Sequence, residues 1–219
     1  MNSKKKSKLS KIFSFKYFCY DFVKWTGALP TLLFIRPSVH YMDRESCKKL
    51  RGGFIASGNH MQYLDPIILL CTFPFRRMFF LAMEGMFNTP LKNFFFKAIR
   101  CVKVNRENVG VETIRQASEH LRDEKVICIF PEGRIIHEDK LEQFKPGCAM
   151  LSVLNDVPIV PVCLRKRTSL FKCTKIVVGK PIYPREVVGE QKSLNAIDAV
   201  NKELFAAEKE LAEYIKTLS

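Results

Sequence analysis

After Pro37 the chain alternates short apolar runs with segments in which apolar residues recur at helical spacing. The apolar runs predict strands at Phe54–Ser57, Met78–Ala82, Cys101–Asn105, Val126–Phe130, Ile159–Leu164 and Lys175–Val178. The helical spacing predicts helices at Tyr63–Cys71, Pro90–Arg100, Val109–Arg122 and Gly147–Leu154. An alternation of this kind folds as a sheet whose strands are joined by crossover helices. The sequence therefore predicts an α/β domain with a mixed, mostly parallel sheet flanked by helices.

The last segment of the chain has a regular amphipathic pattern. Its apolar residues recur in steps of three and four: Ile197, Val200, Leu204, Ala207, Leu211, Tyr214 and Leu218. This spacing predicts a helix with one apolar face. We expect that face to pack on the domain; a dimer seam is the alternative, although the run is short for a coiled coil.

Residues 1–36 differ in character from residues 37–219, and we separate them as an amphipathic membrane-associating segment ahead of the α/β domain. A run of lysines comes first: Lys4, Lys5, Lys6, Lys8 and Lys11. On a helical projection, one narrow stripe holds Phe15, Phe18, Phe22, Trp25 and Leu29, and the other side holds Lys16, Tyr17, Tyr20, Asp21 and Lys24. This pattern predicts a helix that lies in a membrane interface, with the lysines attracted to anionic lipid. The alternative is a helix docked on its own domain by the same stripe.

The same segment is a poor signal peptide and a poor membrane span. Lys16, Asp21 and Lys24 interrupt its apolar region, and no small-residue cleavage site follows. Pro30 and these charges also argue against a helix that crosses the bilayer. We therefore expect peripheral or monotopic attachment.

The chain carries a large excess of positive charge. Lys and Arg total 36 against 22 Asp and Glu, a formal net charge of +14. Such a surplus favours an anionic partner, which is a nucleic acid, an acidic membrane surface, or an acidic protein or substrate; a basic protein with no such partner is the alternative. No reader motif for nucleic acid is evident, so we expect no nucleic-acid partner.

Cysteine usage indicates a reducing compartment. The eight cysteines form no C-x-x-C pair, and several lie inside apolar runs, as Cys128 and Cys163 do. Buried thiols explain this pattern better than disulfides or a zinc site. We expect the protein to work on the cytoplasmic side.

The stretch GNHMQYLDP, from Gly58 to Pro66, places His60 five residues before Asp65. Residues five apart do not share a helical face, so the two side chains meet only if the chain turns between them. A histidine oriented by a carboxylate is the usual arrangement of a general base. A helix start explains Asp65 equally well, through capping and the helix dipole. The sequence has no H-E-x-x-H and no G-x-S-x-G motif, and we expect neither a metal site nor a serine nucleophile.

A second polar group follows the predicted strand Val126–Phe130, in the sequence IFPEGR. Glu132, Gly133 and Arg134 come at the carboxyl end of this strand, where the ligand sites of α/β sheets lie. The planar guanidinium of Arg134 would hold a phosphate through paired donors. A surface ion pair is the alternative. Lys103 and Arg106 flank the end of another predicted strand.

Four blocks follow one another along the chain: NH-x-x-x-x-D, a basic strand end, FPEG and VPIVPV. In this order they resemble the blocks of the glycerolipid acyltransferase family, over roughly Pro37 to Gly179. The resemblance implies an α/β acyltransferase on the inner membrane surface, with no metal, no cofactor and no acyl-enzyme. It implies lysophosphatidic acid as acceptor and acyl-CoA or acyl carrier protein as donor. By resemblance, His60 is the general base and Asp65 its orienting partner. Lys103 and Arg106 would bind the acceptor's phosphate, and Glu132, Gly133 and Arg134 would shape its site.

Two positions depart from the family pattern. Gln62 stands where the family usually has serine, and Arg134 follows Gly133 directly where the commonest block reads FPEGTR. Some relatives, including the tafazzin-like transacylases, also carry a basic residue there. Another lysophospholipid is therefore the alternative acceptor, and a non-catalytic membrane-binding protein is the alternative of another class.

Two further expectations follow from the chemistry of acyl transfer. Backbone amides of the turn near Met61 or Gln62 would hold the developing oxyanion. The apolar substrate tail needs a channel, for which the runs Phe79-Phe80 and Phe94-Phe95-Phe96 are candidates. Core packing is the alternative for both runs.

Overall fold

The computed structural model of the chain describes residues 17–105, 109–136, 143–165 and 173–218. Within them, seven strands form one sheet in the order β1-β7-β6-β2-β5-β3-β4. The strands are β1 (Ser38–Tyr41), β2 (Phe54–Gly58), β3 (Met78–Met83), β4 (Val102–Val104), β5 (Val126–Ile129), β6 (Ile159–Leu164) and β7 (Lys175–Val178). Strands β2 to β6 run parallel, whereas β7 is antiparallel to β6 and β1 pairs in parallel with β7. The prediction of a mixed, mostly parallel sheet is confirmed.

Helices join the strands and cover the sheet. The described α-helices are α1 (Phe18–Pro30), α2 (Arg44–Lys49), α3 (Asp65–Thr72), α4 (Pro90–Ala98), α5 (Val111–Arg122), α6 (Gly147–Asn155), α7 (Pro184–Val188) and α8 (Leu194–Thr217). A π-helical turn (Thr31–Ile35) extends α1, and a 3-10 turn (Glu84–Phe87) precedes α4. Capping explains two of the starts, because Thr89 and Ser193 accept hydrogen bonds from the first turns of α4 and α8.

Apolar residues alternate between the two faces of the sheet. Ile55 and Ile127 point to one face, where they pack with residues of α5, α6 and α8. Phe54 and Cys128 point to the other, where they pack with α3. This two-sided burial is what a parallel sheet between helices requires. The C-terminal helix α8 packs on β6 through the face predicted from its spacing, since Val200, Leu204 and Leu211 are buried.

Helix α1 docks on the domain through its polar face. The Tyr20 hydroxyl donates to the Met78 carbonyl at 2.7 Å, and the Lys24 ammonium donates to the carbonyls of Pro74 and Arg76 at 2.7 Å each. Asp21 accepts two hydrogen bonds from Arg77. These side chains satisfy backbone and charged groups at the start of β3, which would otherwise be buried without partners. Burial also lowers the pKa of Lys24 to about 8.

The aromatic stripe of α1 faces away from the domain. Phe18, Phe22, Trp25 and Leu29 are 54–63% exposed, whereas Phe15 and the lysines from Lys4 to Lys11 lie outside the described residues. The alternative that this stripe docks on the domain is therefore wrong. None of the described helices combines the length and apolar content needed to cross a membrane. The boundary between residues 36 and 37 stays a prediction.

Candidate active site

The turn between β2 and α3 is fixed by tight packing at its start. Gly58 ends β2, and a Cβ atom there would lie 3.2 Å from the Leu69 side chain and 3.4 Å from the Val162 carbonyl oxygen. The next residue, Asn59, donates to the carbonyl of Leu164 at 2.9 Å and accepts from the amide of Leu164 at 2.7 Å. This pair of bonds ties the turn to the carboxyl end of β6. The backbone that carries His60 is thus held on a rigid part of the sheet.

His60 and Asp65 meet across this turn, as their spacing predicts. His60 Nδ1 lies 3.1 Å from Asp65 Oδ2, and the Asp65 side chain is almost completely buried. Asp65 Oδ2 also accepts hydrogen bonds from the amides of Met61 and Gln62, at 2.7 Å each. The carboxylate therefore turns back on the preceding loop and does not cap α3, which shows no side-chain cap. Their catalytic roles stay predictions.

These contacts overturn one expectation. The amides of Met61 and Gln62 were predicted to hold the oxyanion of the reaction, but both point at Asp65. A backbone amide that donates a short hydrogen bond to a buried carboxylate is already satisfied. The two amides instead hold the carboxylate in position against the imidazole.

The His60 ring is fixed in orientation by Phe130, the residue that follows β5. The two ring centroids lie 4.1 Å apart and the ring planes differ by 19°. With Nδ1 donating to Asp65, the lone pair resides on Nε2. The imidazole is partly exposed, at 18% of its side chain, so the ring is not sealed from a substrate. Phe130 could not be assigned to the site from the sequence, because an aromatic residue at a strand end is usually part of the core.

The loop after β5 closes over the same turn. The Ile136 amide donates to the His60 carbonyl at 2.8 Å, and the Gly133 amide donates to the Phe130 carbonyl at 3.0 Å. Glu132 is buried in this loop and Arg134 is exposed. The loop that carries Glu132, Gly133 and Arg134 is therefore joined to the His60 turn on either side, through Phe130 and through Ile136; the roles of the three residues stay predictions.

Lys145 joins the site from the turn FKPG (Phe144–Gly147), which leads into α6. Its amide donates to the Pro131 carbonyl at 2.9 Å. Gly133 has a φ of +70°, and a Cβ atom there would lie 3.4 Å from Cδ and Cε of Lys145. Glycine is favoured here by the left-handed backbone, and the Lys145 side chain lies in van der Waals range of this position. A role for Lys145 could not be predicted from the sequence, since one lysine before a glycine turn carries little signal.

Lys103 does not share this position. Lys103 lies on the edge strand β4, and two strands separate β4 from β2, which corresponds to about 14 Å between their axes. Its ammonium contacts the Glu84 carboxylate at 2.7 Å on the exposed surface. Arg106 lies outside the described residues. Within those residues, no group of three or more His, Cys, Asp or Glu side chains is placed to hold a metal ion.

A buried carboxyl group lies beneath the turn. Ser57, the residue before Gly58, donates from its hydroxyl to Glu208 on α8, and both side chains are buried. Burial raises the pKa of Glu208 to about 8, and the nearby charge of Glu132 contributes to the increase. Glu208 is therefore protonated over most of the neutral range. Glu208 lies on the otherwise apolar face of α8. The amphipathic pattern does not reveal which group a carboxyl on that face would contact.

Phe79 does not line a channel for the substrate tail, because its side chain is fully buried in the core beside Tyr20 and His120. Phe94 and Phe95, by contrast, lie on the exposed helix α4. Core packing is therefore the correct interpretation for Phe79.

Comparison with known proteins agrees with this architecture. The profile of the Acyltransferase family matches residues 38–165. The 1-acyl-sn-glycerol-3-phosphate acyltransferase of Bacillus subtilis is 26% identical over 162 residues, which are 72% of this chain and 80% of that protein. The protein of the same name from Borreliella burgdorferi is 27% identical over 125 residues, 55% of this chain and 49% of its own length.

A solved structure has the same fold. The crystal structure of the 1-acyl-sn-glycerophosphate acyltransferase of Thermotoga maritima aligns with a TM-score of 0.67 at 21% identity, over 93% of this chain and 82% of that one. At this identity the likeness concerns the fold alone. The profile match covers more than half of the sequence and includes both the His60–Asp65 turn and the Glu132–Arg134 loop. The chain is an acyltransferase and belongs to the Acyltransferase family, in line with its resemblance to the glycerolipid acyltransferases.

Proposed function

We propose that the enzyme transfers a fatty acyl group from an acyl thioester to the free hydroxyl of 1-acyl-sn-glycerol-3-phosphate and so forms phosphatidic acid. The observation that carries this proposal is the His60–Asp65 contact, held beside a loop that presents a guanidinium. The names of the relatives supply the acceptor. The donor is acyl-CoA or acyl carrier protein, and the positive net charge suits either anionic carrier.

The chemistry needs one proton acceptor and no covalent enzyme intermediate. His60 Nε2 takes the proton of the acceptor hydroxyl as its oxygen bonds to the thioester carbon. The carbon–sulfur bond then breaks, and the thiolate takes the proton back from the imidazolium. Asp65 stabilises that imidazolium, and a positioned base of this kind contributes roughly a hundred- to ten-thousand-fold.

Arg134 and Lys145 are the best candidates to bind the acceptor's phosphate. Arg134 follows Gly133 in the loop that contacts His60, and the Lys145 side chain packs against Gly133. Both cations are thus supplied by the segments next to the base. Lys103 is less suited to the same phosphate, because it lies on the edge strand and pairs with Glu84.

The enzyme would work at the cytoplasmic face of the membrane, attached peripherally or monotopically. The exposed stripe of α1 supplies apolar surface, and the lysines before it supply attraction to anionic lipid. This arrangement keeps the base close to acceptors that reside in the bilayer.

The test is transfer of a radiolabelled acyl group by the purified protein to a panel of lysolipids. We expect lysophosphatidic acid to be the best acceptor, and lysophosphatidylcholine and lysophosphatidylethanolamine to be poor ones. A preference for one of the latter two would mean that the acceptor is a different lysophospholipid, while the proposed acyl-transfer chemistry would still hold. Absence of transfer to every acceptor, with either donor, would contradict the proposal.

A further inference from the structure

Helix α4 is apolar in sequence yet has no buried residue. It forms the crossover between β3 and β4. Leu91 is 78% exposed, Phe94 is 72% exposed and Phe95 is 43% exposed. Their spacing puts them on neighbouring positions of one helical face. An exposed apolar cluster of this kind marks a surface that a membrane or another molecule covers.

The carboxyl end of α4 and the first turn of α1 border the same cavity. Both contribute to one cavity of about 610 Å3, which is lined by Cys19 of α1 and by Lys97, Arg100 and Cys101 among others. The Arg100 guanidinium lies 4.9 Å from the centre of the Tyr17 ring. The exposed stripe of α1 and the exposed face of α4 thus belong to elements whose ends line the same cavity.

Cations lie at this junction. The guanidinium of Arg77 and the ammonium of Lys125 lie over the same Tyr17 ring as Arg100. Lys92 and Lys97 are exposed on α4 itself. Apolar side chains flanked by basic ones are the composition of an element that lies in the interface of an anionic bilayer.

A protein partner fits this surface less well. Three exposed side chains offer far less area than the roughly 1,200 Å2 that a specific interface buries. A second copy of the chain would bring another net charge of +14 to the same place, and the two would repel each other. An anionic lipid surface requires no such area and is attracted by the charge.

We propose that α4 is a second lipid-contacting helix, whose Leu91, Phe94 and Phe95 enter the interface of an anionic bilayer while the exposed Lys92 and Lys97 of the same helix face the headgroups. The inference rests on the proposed membrane attachment through α1. It adds a contact on the far side of β3 from the catalytic turn, so that two elements and not one set the orientation of the enzyme on the membrane.

The experiment uses the single tryptophan of the chain as a reporter. Trp25 reports on α1 in the wild-type protein, and Phe94→Trp in a Trp25→Phe background reports on α4. Leu194→Trp in the same background is the matched control, because Leu194 is 79% exposed at the start of α8. Each protein is mixed with vesicles of phosphatidylcholine and phosphatidylglycerol whose acyl chains are brominated, and fluorescence quenching is measured.

We expect quenching and a blue shift for Trp25 and for Phe94→Trp, and neither for Leu194→Trp. Quenching of Trp25 without quenching of Phe94→Trp would overturn the inference and leave the attachment through α1 intact. Quenching of neither would remove the proposed attachment itself. A blue shift of Phe94→Trp that depends on protein concentration without vesicles would assign the face to self-association and also overturn the inference.

A binding measurement tests the same surface by removal. The double variant Leu91→Gln and Phe94→Gln should bind these vesicles about tenfold more weakly, since two apolar side chains no longer insert. Val111→Gln, at an 83% exposed position of α5, should bind as the wild type does. Equal binding of all three proteins, or equal loss in both variants, would contradict a role for α4.

Discussion

Glu208 makes the stability of the fold depend on pH in a way that one substitution removes. Its carboxyl group is buried under the catalytic turn, where it accepts a hydrogen bond from Ser57. Burial raises its pKa from 4.5 to about 8. In the unfolded chain the group ionises near its ordinary pKa. The folded state therefore holds a proton that the unfolded state releases, so the free energy of unfolding falls as the pH rises between these two values.

The size of the effect follows from proton linkage. Raising the pH from about 5 to about 7 should cost roughly 2–2.5 kcal/mol of the free energy of unfolding through Glu208 alone. Glu208→Gln keeps the shape and the acceptor for the Ser57 hydroxyl but cannot ionise. We therefore expect the variant to match the wild type near pH 5 and to exceed it near pH 7 by about that amount, or roughly 4–10 °C in Tm.

The assay is urea unfolding of both proteins at the two pH values, with a thermal scan as a second readout. Subtracting the free energy of unfolding of the wild type from that of the variant removes the contribution of the titratable groups that both proteins share. A difference that stays constant with pH would mean that Glu208 is ionised in the folded protein, and the linkage argument would be refuted. Glu210→Gln, at an exposed position of the same helix, is the control and should change nothing.

Three further predictions concern the site and the membrane. Asp65→Asn should lose most activity while keeping the fold, because it removes the charge that stabilises the imidazolium; steady-state kinetics beside a thermal scan checks this. Arg134→Ala should raise the KM for a phosphate-bearing acceptor about tenfold and Lys103→Ala much less, and equal losses with an acceptor that lacks phosphate would exclude a phosphate contact. Changing the five lysines between Lys4 and Lys11 to glutamine should weaken flotation with anionic vesicles and leave neutral vesicles little affected; unchanged flotation would assign the attraction to other cations.

The sequence was sufficient to predict most of the sheet and the contact between His60 and Asp65. Six strands lie where short apolar runs are bounded by turn residues. The signal is continuous in the central strands β2, β5 and β6, because these are buried on both faces. β1 was missed because its four residues are all half-buried at the edge of the sheet. The His60–Asp65 contact was accessible because it depends on local spacing around one turn.

Long-range pairings were out of reach. The partners of Tyr20 and Lys24 are backbone carbonyls 50 to 58 residues away, so a projection of α1 cannot tell which face docks. Glu208 meets Ser57 across 151 residues of sequence. In both cases a buried polar side chain forms a hydrogen bond with a polar group that is distant in sequence. Hydrophobicity patterns carry no information about such pairings.

The most direct test of the account is acyl transfer by His60→Ala. Purified wild-type protein and variant are compared for turnover of a radiolabelled acyl thioester with lysophosphatidic acid, after circular dichroism and a thermal scan have shown that both are folded. We expect the variant to retain its fold and to lose turnover by a hundredfold or more, roughly the contribution of a positioned base. Near-normal turnover in a folded His60→Ala protein would contradict general-base catalysis by this residue and with it the proposed mechanism.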